Sequence, residues 1–202
     1  YLDNFWSEFD DYGIAYLNCD NPGFRWATLW GSNDTEEISD FIMKTARDVL
    51  GNKMKIETYR QTKTGDRSFL GLGLPISNGW MRFSKELIKK WNGATLGWWN
   101  HTTADTLNKV DKDNYLRDMR IKALITIRLC NSDLLPFNFI KVTKLFKERL
   151  EELKKYDSGV ELEDVQENID VLHQKMQDFY KVPGLKELDV KKREKYNFTL
   201  KK

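Results

Sequence analysis

The sequence predicts an α/β fold, part of a sandwich on a mostly parallel sheet, followed by an all-α segment. Three observations predict it. Residues 13–59 pass from a short apolar run to a helical stripe and then to an alternating run, the order of a strand–helix–strand unit. Clusters of turn residues separate these pieces. Beyond Asp111 the apolar residues keep three- and four-residue steps as far as residue 181.

Gly13-Ile14-Ala15-Tyr16-Leu17-Asn18-Cys19 is mostly apolar, as a buried strand of a parallel sheet is. It ends at the turn residues Asp20-Asn21-Pro22-Gly23. A loop carrying Phe24, Trp26 and Trp30 leads to a helix that Asn33 can cap, with Glu36 as its capping-box partner. Ile38, Phe41, Ile42, Ala46, Val49 and Leu50 form its apolar face, and Gly51-Asn52 stops it. Residues 54–59 alternate as a second strand, and residues 71–77 supply a short third.

The character then changes. Residues 113–131 form a long helix, with Tyr115, Leu116, Met119, Ala123, Leu124 and Ile127 on or near one face. Leu134-Leu135-Pro136-Phe137 interrupts it, because proline cannot continue a helix interior. Residues 138–155 form an amphipathic helix with Ile140, Leu145, Phe146, Leu150 and Leu153. After a break at Asp157-Ser158-Gly159, residues 161–181 carry Leu162, Val165, Ile169, Leu172, Met176 and Phe179. The tail from Pro183 is lysine-rich and weakly patterned. The expected domains are therefore 1–112 and 113–202.

At 202 residues the chain can bury one sizeable core or two small ones. Its net charge of +2 gives no reason to expect nucleic acid or an anionic membrane as partner. No apolar run reaches the ~20 residues that span a bilayer. The opening Tyr1-Leu2-Asp3-Asn4-Phe5-Trp6 has no initiator Met and no signal-peptide pattern, which leaves the compartment open. Cys19 and Cys130 are too few for a disulfide framework and are expected to be buried free thiols.

Asp20, in a turn after a strand, and His101, before Thr102-Thr103, each have an ordinary reading as a backbone-bonding or capping residue. Their surroundings add more. A strand ending in Asn18-Cys19-Asp20, then Gly65-Asp66-Arg67-Ser68-Phe69-Leu70-Gly71-Leu72-Gly73-Leu74-Pro75, then Trp98-Trp99-Asn100-His101-Thr102-Thr103-Ala104-Asp105-Thr106-Leu107, resembles the zinc-dependent exopeptidases of the glutamate carboxypeptidase and aminopeptidase family. Residues 113–155, with Asn131-Ser132-Asp133-Leu134-Leu135-Pro136-Phe137, resemble the helical dimerisation domain of its glutamate carboxypeptidase and transferrin-receptor branch.

The resemblance implies the C-terminal half of a zinc-peptidase domain followed by a dimerisation domain. It implies a metallopeptidase, a hydrolase removing terminal residues from small peptides. Two zinc ions ~3.5–4 Å apart can hold a hydroxide and polarise the scissile carbonyl. It makes Asp20 and His101 terminal metal ligands, one to each ion. The family's first His, bridging Asp and Glu general base fall upstream of Asp20, so no catalytic residue is expected here and the chain alone is expected to be inactive. His173, the only other histidine, falls in the 161–181 stripe as an interfacial or core residue. Asp66 and Arg82 fall where relatives border the substrate pocket, although Arg67 stands where relatives often have His. Trp98-Trp99 would wall the metal edge, and Asp105 and Thr106 would support the His101 loop. The implied partners are a peptide substrate, the missing N-terminal peptidase half and a second copy in a homodimer. The alternative is a non-catalytic, transferrin-receptor-like binding and dimerisation protein. Asn-x-Ser/Thr triplets stand at Asn33, Asn100 and Asn197.

Overall fold

The computed structural model describes residues 1–60, 64–156, 159, 161–181 and 188–201, the side chain of Asp66 excepted. They fold as an α/β chain in two compact units, Tyr1–Ser132 and Asp133–Lys202.

The first unit contains α1 (Leu2–Tyr12), β1 (Tyr16–Leu17), β2 (Leu29–Asp34), α2 (Glu36–Leu50), β3 (Ile56–Arg60), β4 (Ile76–Arg82), α3 (Lys85–Lys90) and α4 (Lys112–Cys130). A 3-10 helix, Gly65–Leu72, precedes β4, and another, Leu107–Lys109, precedes α4. The strands form one sheet in the order β1-β4-β2-β3. β1 runs parallel to β4 and β2 parallel to β3, but β2 and β4 are antiparallel from Leu29↔Arg82 to Asp34↔Ser77. The sheet is thus mixed, which corrects the mostly parallel expectation. Among the described residues, β2–α2–β3 is a parallel crossover unit, and β4 runs antiparallel to β2.

The core lies where α2 and α4 pack on each other and on the central strands. Ile38, Ile42 and Ala46 of α2, Ile76 and Met81 of β4 and Ile121 of α4 are fully buried. Each buried isoleucine contributes about 1.5–3 kcal/mol. Trp30 lies across β4 at Gly79, where a Cβ would come within 2.3 Å of the indole ring. Thr35 fastens the start of α2 to β4: its N–H donates to the Ile76 carbonyl and its hydroxyl accepts from the Ile76 N–H.

Several sequence expectations shift. The run at 13–19 pairs only through Tyr16 and Leu17, and the loop assigned to 24–30 and the cap assigned to Asn33 give way to β2. Thr35 is the N-cap of α2. β2 was illegible because Ser32, Asn33 and Asp34 are polar yet buried. They are held by side-chain hydrogen bonds where alternation would have placed apolar groups. The third strand comes later, at Ile76–Arg82, after the 3-10 helix over 65–72. In α4 the buried positions are Asn114, Asp118, Ile121, Ile125 and Leu129. Tyr115, Leu116 and Ile127 of the expected face are exposed. The helix is apolar on more than one side, and its buried side is chosen by two polar residues that bond backbone. Cys19 and Cys130 are free but exposed, against the expectation of burial.

The second unit holds α5 (Phe139–Leu153), α6 (Glu163–Tyr180) and α7 (Val190–Lys201). Pairings of Thr143 with His173, Lys147 with Asp170 and Lys154 with Gln166 show α5 and α6 to be antiparallel. The Tyr180 hydroxyl donates to the Phe137 carbonyl and accepts from the Phe139 N–H, closing the Pro136 corner onto α6. α7 is a helix despite its weak pattern. Phe179 stacks on Tyr196, Arg193 pairs with Asp133 at 2.7 Å, and Leu200 is buried. The Asn197 amide accepts from the Leu135 N–H and donates to the Asp133 carbonyl. Asn33 likewise donates to the Arg60 carbonyl, so two of the three sequon asparagines hold backbone. The compact units divide at 132/133, so α4 folds with the sheet although the composition changes at 112/113. Among the described residues, no helix is long and apolar enough to cross a membrane.

Candidate functional site

The segment after β1 is held by α4. Asp118, fully buried, accepts from the Gly23 N–H at 2.8 Å and the Met81 N–H at 2.9 Å, tying this segment to β4. Asn114 donates to the Phe24 and Ala27 carbonyls, and Lys122 donates to the Asn18 carbonyl. Burial pushes the Asp118 carboxyl up to about 6, against the Gly23 N–H and the Lys122 charge. Lys122 is drawn down by its own burial, with Cys19, Asp118 and Asp20 opposing.

Asp20 stands exposed in this segment. One carboxylate oxygen accepts from the Asn21 N–H at 2.8 Å and the other from the Asn21 side-chain amide at 3.0 Å. His101 is also exposed, with φ 61°, at the head of a loop organised by Thr102. The Thr102 hydroxyl donates to the Trp99 carbonyl and accepts from the Ala104 N–H, while its carbonyl accepts from the Asp105 N–H. Thr106 contributes a bond to Asn108, as loop support. Trp99, at the start of the loop, is buried among Trp26, Phe83, Trp91 and Trp98.

The two loops meet. Arg25 N–H donates to the Lys109 carbonyl, Asp111 N–H donates to the Gly23 carbonyl, and Phe24 and Val110 form an antiparallel bridge. Phe24 also stacks on Phe83, immediately after β4, and Phe83 packs against Trp99. The segment that follows Asp20 is therefore stitched, at residues 23–25, to the segment that follows His101 beside the end of β4, whereas Asn18, two residues before Asp20, bonds the Ser77 carbonyl near the start of β4. Among the described residues, no contact joins the Asp20 carboxylate to the His101 imidazole, and no group of three or more His, Cys, Asp or Glu side chains is placed to hold a metal.

Arg82 lies at the end of β4 between two aromatic faces, 3.7 Å from the Trp80 centroid and 4.4 Å from that of Tyr59. It donates to the Gly31 carbonyl and to Asn33. Burial lowers its pKa to about 10, so it remains charged at neutral pH. These contacts give Arg82 a sheet-bracing role beside any role toward substrate. The backbone of Asp66 lies in the 65–72 helix; its side chain lies outside the described residues.

A buried acid that the sequence reading passed over is Asp34, at the end of β2. Its Oδ1 accepts from Ser32, its Oδ2 is buried without a hydrogen-bond partner, and burial pushes its pKa up to about 7. Ser32, Ser77 and Arg82 pull it down, and Glu36 adds to the rise. A folded-state pKa above the unfolded value means stability is full below about pH 3.8 and lost as pH rises toward 7. Asp34→Asn is expected to flatten that decline and to exceed the native protein in stability at pH 8, by a few kcal/mol at about 1.4 per pKa unit. Urea denaturation from pH 4 to 8 measures it; an unchanged pH profile would refute the assignment. Asp118 titrates in the same direction, so the comparison must be with the native chain at each pH.

No family model and no curated protein matches this chain.

Proposed function

We propose that this chain is the C-terminal portion of a di-zinc metallo-exopeptidase of the glutamate carboxypeptidase-like type, in which Asp20 and His101 are terminal ligands. The observation that supports it is the stitching of the segment after Asp20 to the segment after His101 beside the carboxyl end of β4, the kind of strand end where open α/β sheets bind ligands. Asp20 and His101 are exposed oxygen and nitrogen donors of the kinds zinc takes. Two donors do not complete a four-coordinate ion. The other ligands and the general base must come from outside these residues. A bound zinc pair would supply the attacking hydroxide and polarise the peptide carbonyl. Thr102 and Trp99 orient the His101 loop, and Asp118 positions the segment carrying Asp20.

The isolated chain is expected to show no hydrolysis of dipeptides with zinc added. In the intact parent, metal analysis should find two zinc ions per chain, falling to one with His101→Ala, together with loss of turnover. Zinc-dependent turnover by the isolated chain, or an unchanged zinc content in the variant, would count against the reading.

The helical unit suits the homodimer implied by the same resemblance, whether the parent is an enzyme or the transferrin-receptor-like binding protein. Phe146, Leu153, Val165 and Leu172 are exposed on α5 and α6. Leu150, by contrast, is buried and unsuited to testing assembly. Charged substitutions of Phe146 and Leu172 are expected to shift sedimentation equilibrium toward monomer; a native parent that is monomeric at micromolar concentration would end the dimer proposal.

A further inference from the structure

We propose that Trp26 and Trp98, with Arg25 and Lys109, form a binding site for an aromatic or large apolar residue bearing a free carboxylate, the C-terminal residue of a peptide. Trp26 and Trp98 are 50% and 55% exposed, whereas Trp99 between them is 1% exposed. Their rings pack on Trp99 at 5.6 and 5.8 Å, so a buried tryptophan holds two open ones in place. Trp26 has φ 66°, a conformation unfavourable for a bulky side chain and retained where surrounding structure enforces it. The backbone on either side of it is fixed by the Arg25–Lys109 bond and by the turn bond from the Ala27 N–H to the Phe24 carbonyl.

The Arg25–Lys109 bond joins the two residues whose cations lie near the rings. Arg25 lies 5.8 Å from the Trp26 centroid, and Lys109 lies 5.8 Å from that of Trp98. Asn108 anchors both: its carbonyl accepts from Arg25 at 3.0 Å and its side-chain oxygen from Lys109 at 2.9 Å. Among the described residues neither cation takes part in an ion pair. Of the acids in the adjoining loop, Asp111 caps α4 by accepting from the Asn114 N–H, and Asp105 is exposed. Half-exposed indoles, each with a cation over its ring that has no ion-pair partner among the described residues, match a ligand with an apolar body and an anionic end. The choice of a peptide terminus rests on the exopeptidase reading, and it favours a carboxypeptidase over an aminopeptidase.

Tryptophan fluorescence of the 202-residue chain, in buffer with a chelator, tests it with N-acetyl-phenylalanine and its amide as probes. The acid should quench saturably and the amide should bind about tenfold more weakly. Trp98→Ala should abolish the response, and Arg25→Gln with Lys109→Gln should erase the difference between acid and amide. Circular dichroism checks that the variants fold; Trp98→Phe, which keeps an aromatic face, should retain binding. Equal affinity for acid and amide, absence of saturation, or binding unaffected by Trp98→Ala would overturn the proposal. No zinc enters this measurement, so its failure is separable from failure of the peptidase reading, which hydrolysis and metal content report.

Discussion

Asp118→Ala is expected to cost the first unit about 2–6 kcal/mol, since it leaves two buried backbone donors unmet at about 1–3 kcal/mol each. Those donors are the Gly23 and Met81 N–H groups, on the segment after β1 and on β4. Among the described residues, Asp118 is the side chain that accepts from both N–H groups. Asn114 faces carbonyls, and Lys122 is itself a donor. Asp118→Asn keeps one acceptor oxygen and should fall between the native chain and the alanine variant. Urea unfolding followed by tryptophan fluorescence gives the order. A loss under about 1 kcal/mol for the alanine variant would mean that water reaches both N–H groups and that Asp118 does not position the loop.

Asp118 also shows which part of the structure was legible in the sequence. The helices α2, α4, α5 and α6 follow from apolar spacing to within a few residues, because their existence depends on period alone. The orientation of α4 does not. Its choice of buried face depends on Asn114 and Asp118 meeting backbone groups far along the chain, and nothing in the spacing near Leu116 or Leu124 announces those partners. β2 escaped for a related reason: Ser32 bonds Asp34 and Ser77, and Asn33 bonds the Arg60 carbonyl and Arg82, so polar residues occupy a buried strand. α7 escaped because its stability comes from Tyr196, Asn197 and Leu200 individually, without a continuous stripe. The direction of β4 depends on a crossover that local pattern does not encode. For the candidate site, the turn at Asp20 and the loop at His101 were readable as motifs. Their joining through residues 23–25 and 109–111 required the fold.

Trp99→Ala should lower the stability of the first unit by about 3–5 kcal/mol, the usual cost of truncating a buried tryptophan. The ring is 1% exposed and meets Phe83 at 6.0 Å, Trp91 at 5.0 Å and Trp26 at 5.6 Å. Its approach to the chain is unusually close. Gly97 has φ 90°, and a Cβ there would lie 2.4 Å from the indole, so the turn and the ring were shaped to each other. Loss of the ring removes the buried anchor of the segment that leads into His101 while leaving the Trp99 carbonyl that binds Thr102. The loop should therefore remain tethered but lose its fixed pose. Amide hydrogen exchange should quicken across residues 100–106, with a smaller change at 109–111, where the backbone bridge to 23–25 persists. Trp99→Phe, which refills part of the cavity, should recover part of both stability and protection. If Trp99→Ala leaves exchange at 100–106 unchanged, the threonine hydrogen bonds alone hold the loop. The aromatic cluster would then serve the exposed rings of Trp26 and Trp98 without ordering His101.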